Sequence, residues 1–378
     1  MSVDHLPPPV WVDTATALHR LVDDLMRQRR VAVDTESNSL YAYRERVCLL
    51  QFSTPETDYL LDPLTLTDLR SLAPFFASPE IEKVFHASEY DVICLKRDFG
   101  FTFANLFDTM LAARILGYEA VGLGSLLAEK FGVHLNKRYQ RANWGKRPLE
   151  PELLRYARLD THYLLPLRDR LQAELEAAGL WPLAREDFAM ACEVTPNHHP
   201  GRKGCSTWER LDSHRTLSPR QRTILDELCH CRERLAKRAD RPVFKIVSDR
   251  TLVHLAQAVP QDKADLAEAG LSSRQIRRFG SELLSAVRKG MRAPLVRRSV
   301  HERPDPAFVA RLEALKEWRK REARRMGVGS DVVLPRRLLY AIASRAPADE
   351  RELAEVLARS PWRLEHFGAQ ILEVLRGN

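Results

Sequence analysis

Four carboxylates and one phenol in the first 160 residues are spaced in a way that could do chemistry on phosphorus. They are Asp34 and Glu36 in VAVDTESNSL, Asp91 in HASEYDVICL, and Tyr156 with Asp160 in RYARLDTHYLL. Asp34 and Glu36 are two apart in a β-rich run, so alternation puts both side chains on one face. Tyr156 and Asp160 are four apart in a helical run and stand one above the other. Asp91 falls in the first turn of a predicted helix, where the dipole favours an anion. Carboxylates converging from separate elements repel one another unless cations lie between them. A cluster of hard oxygen ligands suits Mg²⁺ or Mn²⁺. Two such ions about 3.5–4 Å apart serve displacement at phosphorus. A phenol with a pKa near 10 is a poor base, so Tyr156 is expected to orient a water whose pKa the metal lowers. Taken singly, each residue has a plain structural reading: a solvated acidic pair, a helix-dipole partner, a packing tyrosine. Only the set carries the chemistry.

The elements that must position these residues are legible in outline. Residues 10–30 read as an amphipathic helix with Ala15, Leu18, Leu21, Val22 and Leu25 on one stripe. VAVDTE, VCLLQFST and YLLDP read as strands, DLRSLAPFFA as a helix, and KVFHA as a further strand. Ser88 is the expected N-cap of a helix over SEYDVICLKRDF, with Gly100 as its stop. His86 reads as a buried strand-end histidine. NLFDTMLAARILG gives another strand and helix. Pro151 opens a long helix that Pro166 is expected to end or kink. Strands followed by alternating strands and helices predict a mixed sheet covered by helices.

With 44% apolar and 29% charged residues, the 378-residue chain has the composition of a globular protein of two or three domains. No run of about 18 apolar residues predicts a membrane span. MSVDHLPPPVWVDT lacks the pattern of a secretory signal. Scattered cysteines point to a reducing, cytoplasmic setting. Charge is unevenly placed. Residues 1–190 hold 22 Lys and Arg against 27 Asp and Glu, a net of −5, and residues 191–378 hold 37 against 24, a net of +13. The basic half would attract a polyanion, although solvated helix faces would also look like this. The segment around residues 132–150, with Lys137, Arg138, Arg141, Trp144, Lys146 and Arg147, mixes cations with aromatics as a single-strand path would. An ordinary surface loop is an equal reading of it.

Beyond a Gly-, Pro- and Arg-rich linker the chain repeats itself. ILDELCHCRERLAKRADRP (224–242) aligns without gaps on RLEALKEWRKREARRMGVG (311–329), an offset of 87 residues, and RRFGSELL aligns with EHFGAQIL after one extra residue. Two helical modules of one fold are expected, with arginine-rich helices facing nucleic acid. The expected division is 1–191, a linker 192–209, a first module 210–291, a linker 292–303, and a second module 304–378. Cys192, His198, His199 and Cys205 match no zinc-finger spacing. No G-x₄-G-K-[ST] loop is present, so no nucleotide cofactor is expected.

The ordered set D-x-E, Asp, Y-x₃-D resembles the DEDD exonuclease superfamily in its tyrosine branch. The histidine branch would carry His where this chain has Arg155. FHASEYDVICL, FDTMLAARILGY, and WGKRPL with LRYARLDTHYLL are similar to the ribonuclease D family. The repeats resemble the HRDC module that this family shares with RecQ-type helicases, the second less closely. The resemblance implies an α/β exonuclease domain, a ribonuclease H-like mixed sheet flanked by helices, followed by two all-α helical-bundle HRDC modules. It implies a 3′→5′ exoribonuclease that acts on single-stranded 3′ ends of tRNA precursors and releases 5′-mononucleotides; a monomer is expected because the internal duplication already supplies several binding surfaces. It further implies that Asp34 bridges two divalent ions, that Glu36 and Asp160 complete the shell of the first, and that Asp91 holds the second. Tyr156 would position the attacking water, and Leu40 would pack against the terminal base. Lys137, Arg141, Trp144 and Arg147 are expected along the substrate path. Two alternatives stand beside this reading: a DNA exonuclease of repair type, since the same carboxylates serve both sugars, and a nucleic-acid binder without activity.

Overall fold

The computed structural model describes residues 6–195, 207–298 and 305–377. The middle of the first linker, with His198, His199 and Cys205, and residues 299–304 of the second lie outside the described residues. The chain divides into two compact units. One holds the strands up to Glu36, everything from Val47 through the eighth helix, and the second repeat; the other holds Ser37–Arg46 and the first repeat.

In the first unit the order is β1 (Val10–Val12), α1 (Ala15–Leu25), β2 (Arg30–Ser37), β3 (Val47–Ser53), β4 (Asp58–Leu61), α2 (Ala73–Ala77), β5 (Glu82–Phe85), α3 (Glu89–Phe99), β6 (Leu106–Asp108) and α4 (Thr109–Ile115). Then come α5 (Leu123–Phe131), α6 (Pro151–His162), α7 (Leu164–Ala177) and α8 (Trp181–Cys192). The six-stranded sheet runs β1-β4-β3-β2-β5-β6. β3 and β4 are antiparallel, while β1 with β4, β2 with β5, and β5 with β6 are parallel. This is the mixed sheet expected. One local expectation needs correction, and two hold with a refinement. The helix over 10–30 is shorter, because Val-Trp-Val after three prolines extends and pairs with β4, and Thr14 caps α1 only after it. Ser88 takes the N-cap place of α3 as expected, but it makes no side-chain cap bond, because its hydroxyl donates to Asp108 instead. The long helix breaks at Tyr163, three residues before Pro166, whose missing N–H and ring oppose the turn carrying residue 162.

β2 lies mid-sheet and is covered on both faces. Val31 and Val33 join the core shared with α1, while Ala32 joins the core shared with Leu164 and Leu167 of α7. Continuing the alternation, Asp34 and Glu36 share the face of Ala32. Strand pairing and two apolar layers thus hold two charged residues at the strand's end.

The repeats keep their register in three dimensions. α10 (Pro219–Ala239), which follows the short α9 (Thr207–Leu211), is matched by α15 (Pro306–Met326). α11 (Val243–Ile246) and α12 (Asp249–Ala258) are matched by α16 (Ser330–Val333) and α17 (Arg336–Arg345) at the same 87-residue offset. α13 (Lys263–Glu268) and α14 (Ser273–Arg292) correspond to α18 (Glu350–Val356) and α19 (Pro361–Arg376). Arg232 donates to the Val247 carbonyl and Arg319 to the Leu334 carbonyl, each at 2.9 Å, so these paired arginines lock their own bundles. Arg232 is 2% exposed, so this arginine of α10 faces its own bundle. Gly290 lets α14 approach α10, since a Cβ there would stand 2.6 Å from Ile224 Cα. In the second unit, Tyr43 of the β2–β3 connection donates through its hydroxyl to Glu233 at 2.6 Å and through its N–H to Asp240 at 3.1 Å.

The repeats diverge where Gln275 is replaced by Arg363. Gln275 bonds the Ile246 carbonyl at 2.8 Å, inside its own bundle. Arg363 bonds the equivalent Val333 carbonyl at 3.1 Å, and its longer fork goes on to Glu186 at 2.9 Å and Asp187 at 2.7 Å on α8. The second repeat is thereby tied to the sheet's helical layer.

Candidate active site

Three of the predicted carboxylates meet. Oxygens of Asp34 and Glu36 from β2 and of Asp160 from α6 lie within 4.8 Å of one another. Asp91, on α3, stands outside this triple, yet its charge reaches both β2 carboxylates. Burial pushes Asp34 well above the usual carboxylate range, helped by repulsion from Asp91, Asp160 and Glu36. Glu36 is raised by burial and then by Asp160 and Asp91. Burial lifts Asp160 to about 7, with Asp91 adding and nearby Tyr156 opposing. Burial lifts Asp91 to about 7, partly offset by the hydroxyl of Thr35, which donates to it. Carboxylates so crowded resist sharing charge until a cation enters, and every donor in the set is a hard oxygen. These residues fit a divalent metal.

Tyr156 is 9% exposed and its hydroxyl is pushed far above 10, by burial first and then by Asp160, Glu36 and Asp34. In the metal-free site it therefore stays protonated and can donate, which suits orientation. Its ring lies 5.9 Å from Tyr139 and 6.2 Å from Trp144, between centroids. The same buried cluster holds Leu49 and Leu60.

Two substrate-path expectations are corrected. Trp144 is 1% exposed in that core, so its ring has no face for a base. Arg147 is spent within the protein: it binds Asp62 at 2.6 and 2.7 Å, the Cys48 carbonyl at 2.7 Å, and the Trp144 and Lys146 carbonyls at 2.8 Å. Trp144 and Arg147 fasten the 132–150 segment to β3, behind Tyr156. Arg141 is exposed, and Lys137 lies on a short 3₁₀ turn, Lys137–Tyr139. Leu40 is 39% exposed on the β2–β3 connection.

Sequence reasoning missed the groups that hold α6. Asp58 on β4 takes Arg158 at 2.6 Å and His162 at 3.0 Å, and Ser53 bridges Asp58 at 2.6 Å and Thr161 at 2.7 Å. Burial would raise Asp58, but His162, Ser53 and Arg158 outweigh it and keep the carboxyl low and charged. This network pins the helix on both sides of Asp160. Nothing in D-Y-L-L marks Asp58, whose partners Arg158 and His162 lie 100 and 104 residues away. His86 donates from Nδ1 to Thr109 at 2.9 Å, since the Thr109 hydroxyl donates to the Phe85 carbonyl at 3.1 Å. Burial depresses its pKa, leaving a neutral imidazole.

Comparison with known proteins agrees with this geometry. A 3′-5′ exonuclease domain family matches residues 9–176, and the HRDC domain matches residues 221–287 and 309–375. Ribonuclease D of Pseudomonas paraeruginosa is 29% identical, with 98% of each chain covered. The exosome complex exonuclease RRP6 of Saccharomyces cerevisiae is 34% identical over 67% of this chain and 36% of its own length. The chain thus spans about a third of that relative and between 29% and 50% of the next three. The crystal structure of Escherichia coli RNase D, described as an exoribonuclease involved in structured RNA processing, superposes with a TM-score of 0.68 at 26% identity, covering 98% of this chain and 99% of that one. The catalytic core of RRP6 from Trypanosoma brucei superposes with a TM-score of 0.67 at 29% identity, covering 77% and 81%.

Proposed function

Since the chain belongs to the ribonuclease D family of 3′-5′ exonucleases with HRDC domains, we propose that it is an exoribonuclease trimming the 3′ ends of tRNA precursors and other structured RNAs to release 5′-mononucleotides. The observation that carries this is the meeting of Asp34, Glu36 and Asp160 within 4.8 Å, beside a phenol that burial and the same carboxylates keep protonated. Two divalent ions, Mg²⁺ or Mn²⁺, held by Asp34, Glu36 and Asp160 with Asp91, would supply charge neutralisation at phosphorus and acidify the attacking water.

The chain's own residues do the rest. Asp34, grouped with Glu36 and Asp160, would share in holding both ions. Tyr156 donates a hydrogen bond that orients the nucleophilic water. Leu40, exposed on the β2–β3 connection, is assigned to the terminal base, and Arg141 and Lys137 are assigned to phosphates. The excess of basic residues after 190 holds a polyanion against an acidic centre. The domain limits 1–191, 210–291 and 304–378, a cytoplasmic setting and a monomeric state belong to the same proposal. Among the described residues, no helix is long and apolar enough to cross a membrane.

The test is degradation of a 3′-extended tRNA beside matched single-stranded DNA, in Mg²⁺, in Mn²⁺ and in EDTA. Expected are 5′-mononucleotides from the 3′ end of the RNA and none in EDTA. Turnover of DNA alone, or of neither, overturns the proposal.

A further inference from the structure

The turn that launches α3 is built around a carboxylate that the chemistry above leaves unused. Asp108 ends β6, is 1% exposed, and pairs with Phe85 across the parallel ladder. It gathers five donors. Its Oδ1 accepts from the N–H groups of Met110 at 2.8 Å and Leu111 at 3.1 Å, which caps α4, and from the Ala87 N–H at 3.1 Å. Its Oδ2 accepts both the N–H and the hydroxyl of Ser88, each at 2.7 Å. One buried side chain therefore ties together the starts of two helices.

The turn it holds is strained. Ala87 has φ +60°, a left-handed conformation that a residue with a Cβ keeps only where its surroundings impose it. The first helical bond of α3 runs from the Val92 N–H to the Ser88 carbonyl at 2.9 Å, so the helix starts where Asp108 anchors the chain. Asp91 lies three residues past Ser88, in the first turn of α3.

We infer that Asp108 is a positioning residue for Asp91: by holding the Ala87–Ser88 turn it sets where the Asp91 carboxylate stands against Asp34 and Glu36. This rests on the reading of Asp91 as a metal ligand. Asparagine would keep the shape of Asp108 but replace one oxygen with an NH₂ group, which must then face the two donors of Ser88 or the three on Oδ1. The turn would relax away from its left-handed conformation, and α3 would start from another place.

The experiment compares the full-length parent with D108N, S88A, D91N and the double variant D108N/A87G. Mn²⁺ binding without RNA is followed by calorimetry, alongside kcat and KM on a 3′-extended tRNA. For D108N the expected results are Mn²⁺ affinity weakened by about 10–100-fold, the range for groups that orient metal ligands, a lower kcat, and an unchanged KM for RNA. S88A loses one of the five bonds and should move the same way by a smaller factor. D108N/A87G should recover part of the affinity, since glycine accepts a positive φ freely. A folded D108N with the parent's Mn²⁺ affinity and kcat overturns the inference, as does lower stability with unchanged metal affinity. Should D108N not fold, S88A decides by the same two readings. Parental metal affinity and activity in D91N would overturn the reading of Asp91 and the inference with it. Loss in D91N with none in D108N or S88A would overturn the inference alone.

Discussion

Asp34→Asn separates the electrostatics of the carboxylate cluster from its catalysis. Unit charges 4.8 Å apart, the outer limit for the Asp34, Glu36 and Asp160 oxygens, repel by about 3 kcal/mol at an effective dielectric near 20. Asp160 and Asp91 are each pushed from 3.8 to about 7, a rise of roughly three units, or about 4 kcal/mol apiece between protonation states. These terms overlap, and the cluster is partly open to water, so they do not sum. Removing the central charge should return about 2 kcal/mol to the metal-free protein at pH 8, a few degrees in melting temperature. At pH 5 the cluster is largely protonated and the gain should vanish. Saturating Mg²⁺ should reverse the order, because the parent gains binding free energy that the variant cannot match. RNA turnover should fall by at least about 100-fold. The assay is thermal unfolding in EDTA and in Mg²⁺ at pH 5 and pH 8, beside turnover of a single-stranded RNA. A variant destabilised in EDTA at pH 8, or one that gains as much from Mg²⁺ as the parent, would refute the reasoning.

The same groups set a pH dependence in EDTA. With folded pKa values near 7 against 3.8 unfolded for Asp91 and Asp160, the folded state binds more protons between about pH 4 and 7, so stability should fall as pH rises through that window and level off above it. Urea midpoints at pH 5, 6, 7 and 8 check this, and an upward slope would contradict it. Arg363→Ala leaves Glu186 and Asp187 buried without their cation and should cost about 3–5 kcal/mol. Gln275→Ala, at the matching place in the first repeat, should cost only about 1 kcal/mol, and equal urea midpoints for the two would refute the distinction. Trp144→Ala should cost about 3–5 kcal/mol of stability without changing the KM of the folded fraction, whereas Arg141→Ala, at an exposed side chain, should raise KM for RNA with a much smaller loss of stability; steady-state kinetics beside unfolding separates them.

Periodicity and spacing carried the sequence reading far. Two-residue alternation put Asp34 and Glu36 on one face, and four-residue spacing put Tyr156 above Asp160, because local backbone geometry alone dictates those relations. The 87-residue repeat survived into matching helices and even matching Arg232 and Arg319 bonds, since a shared apolar period demands a shared bundle. Local rules failed where a distant partner outbid a near one. Ser88 has the type and place of a cap, but Asp108, twenty residues on, takes its hydroxyl. Val10–Val12 extends because β4 pairs with it.

Trp144 and Arg147 mark the limit most clearly. Their types and their basic neighbourhood suit a nucleic-acid surface as well as they suit a core, and no spacing rule distinguishes the two. Only the folded chain sets Trp144 against Tyr156 and Arg147 against Asp62, 85 residues away. The same holds for Asp58 beneath α6, Asp108 behind α3 and Arg363 across α8. Which side chains share a strand or helix face could be read from residue order, because that geometry is local. Tertiary structure decided which of them are buried and paired, because burial and ion pairing depend on segments the chain brings together only on folding.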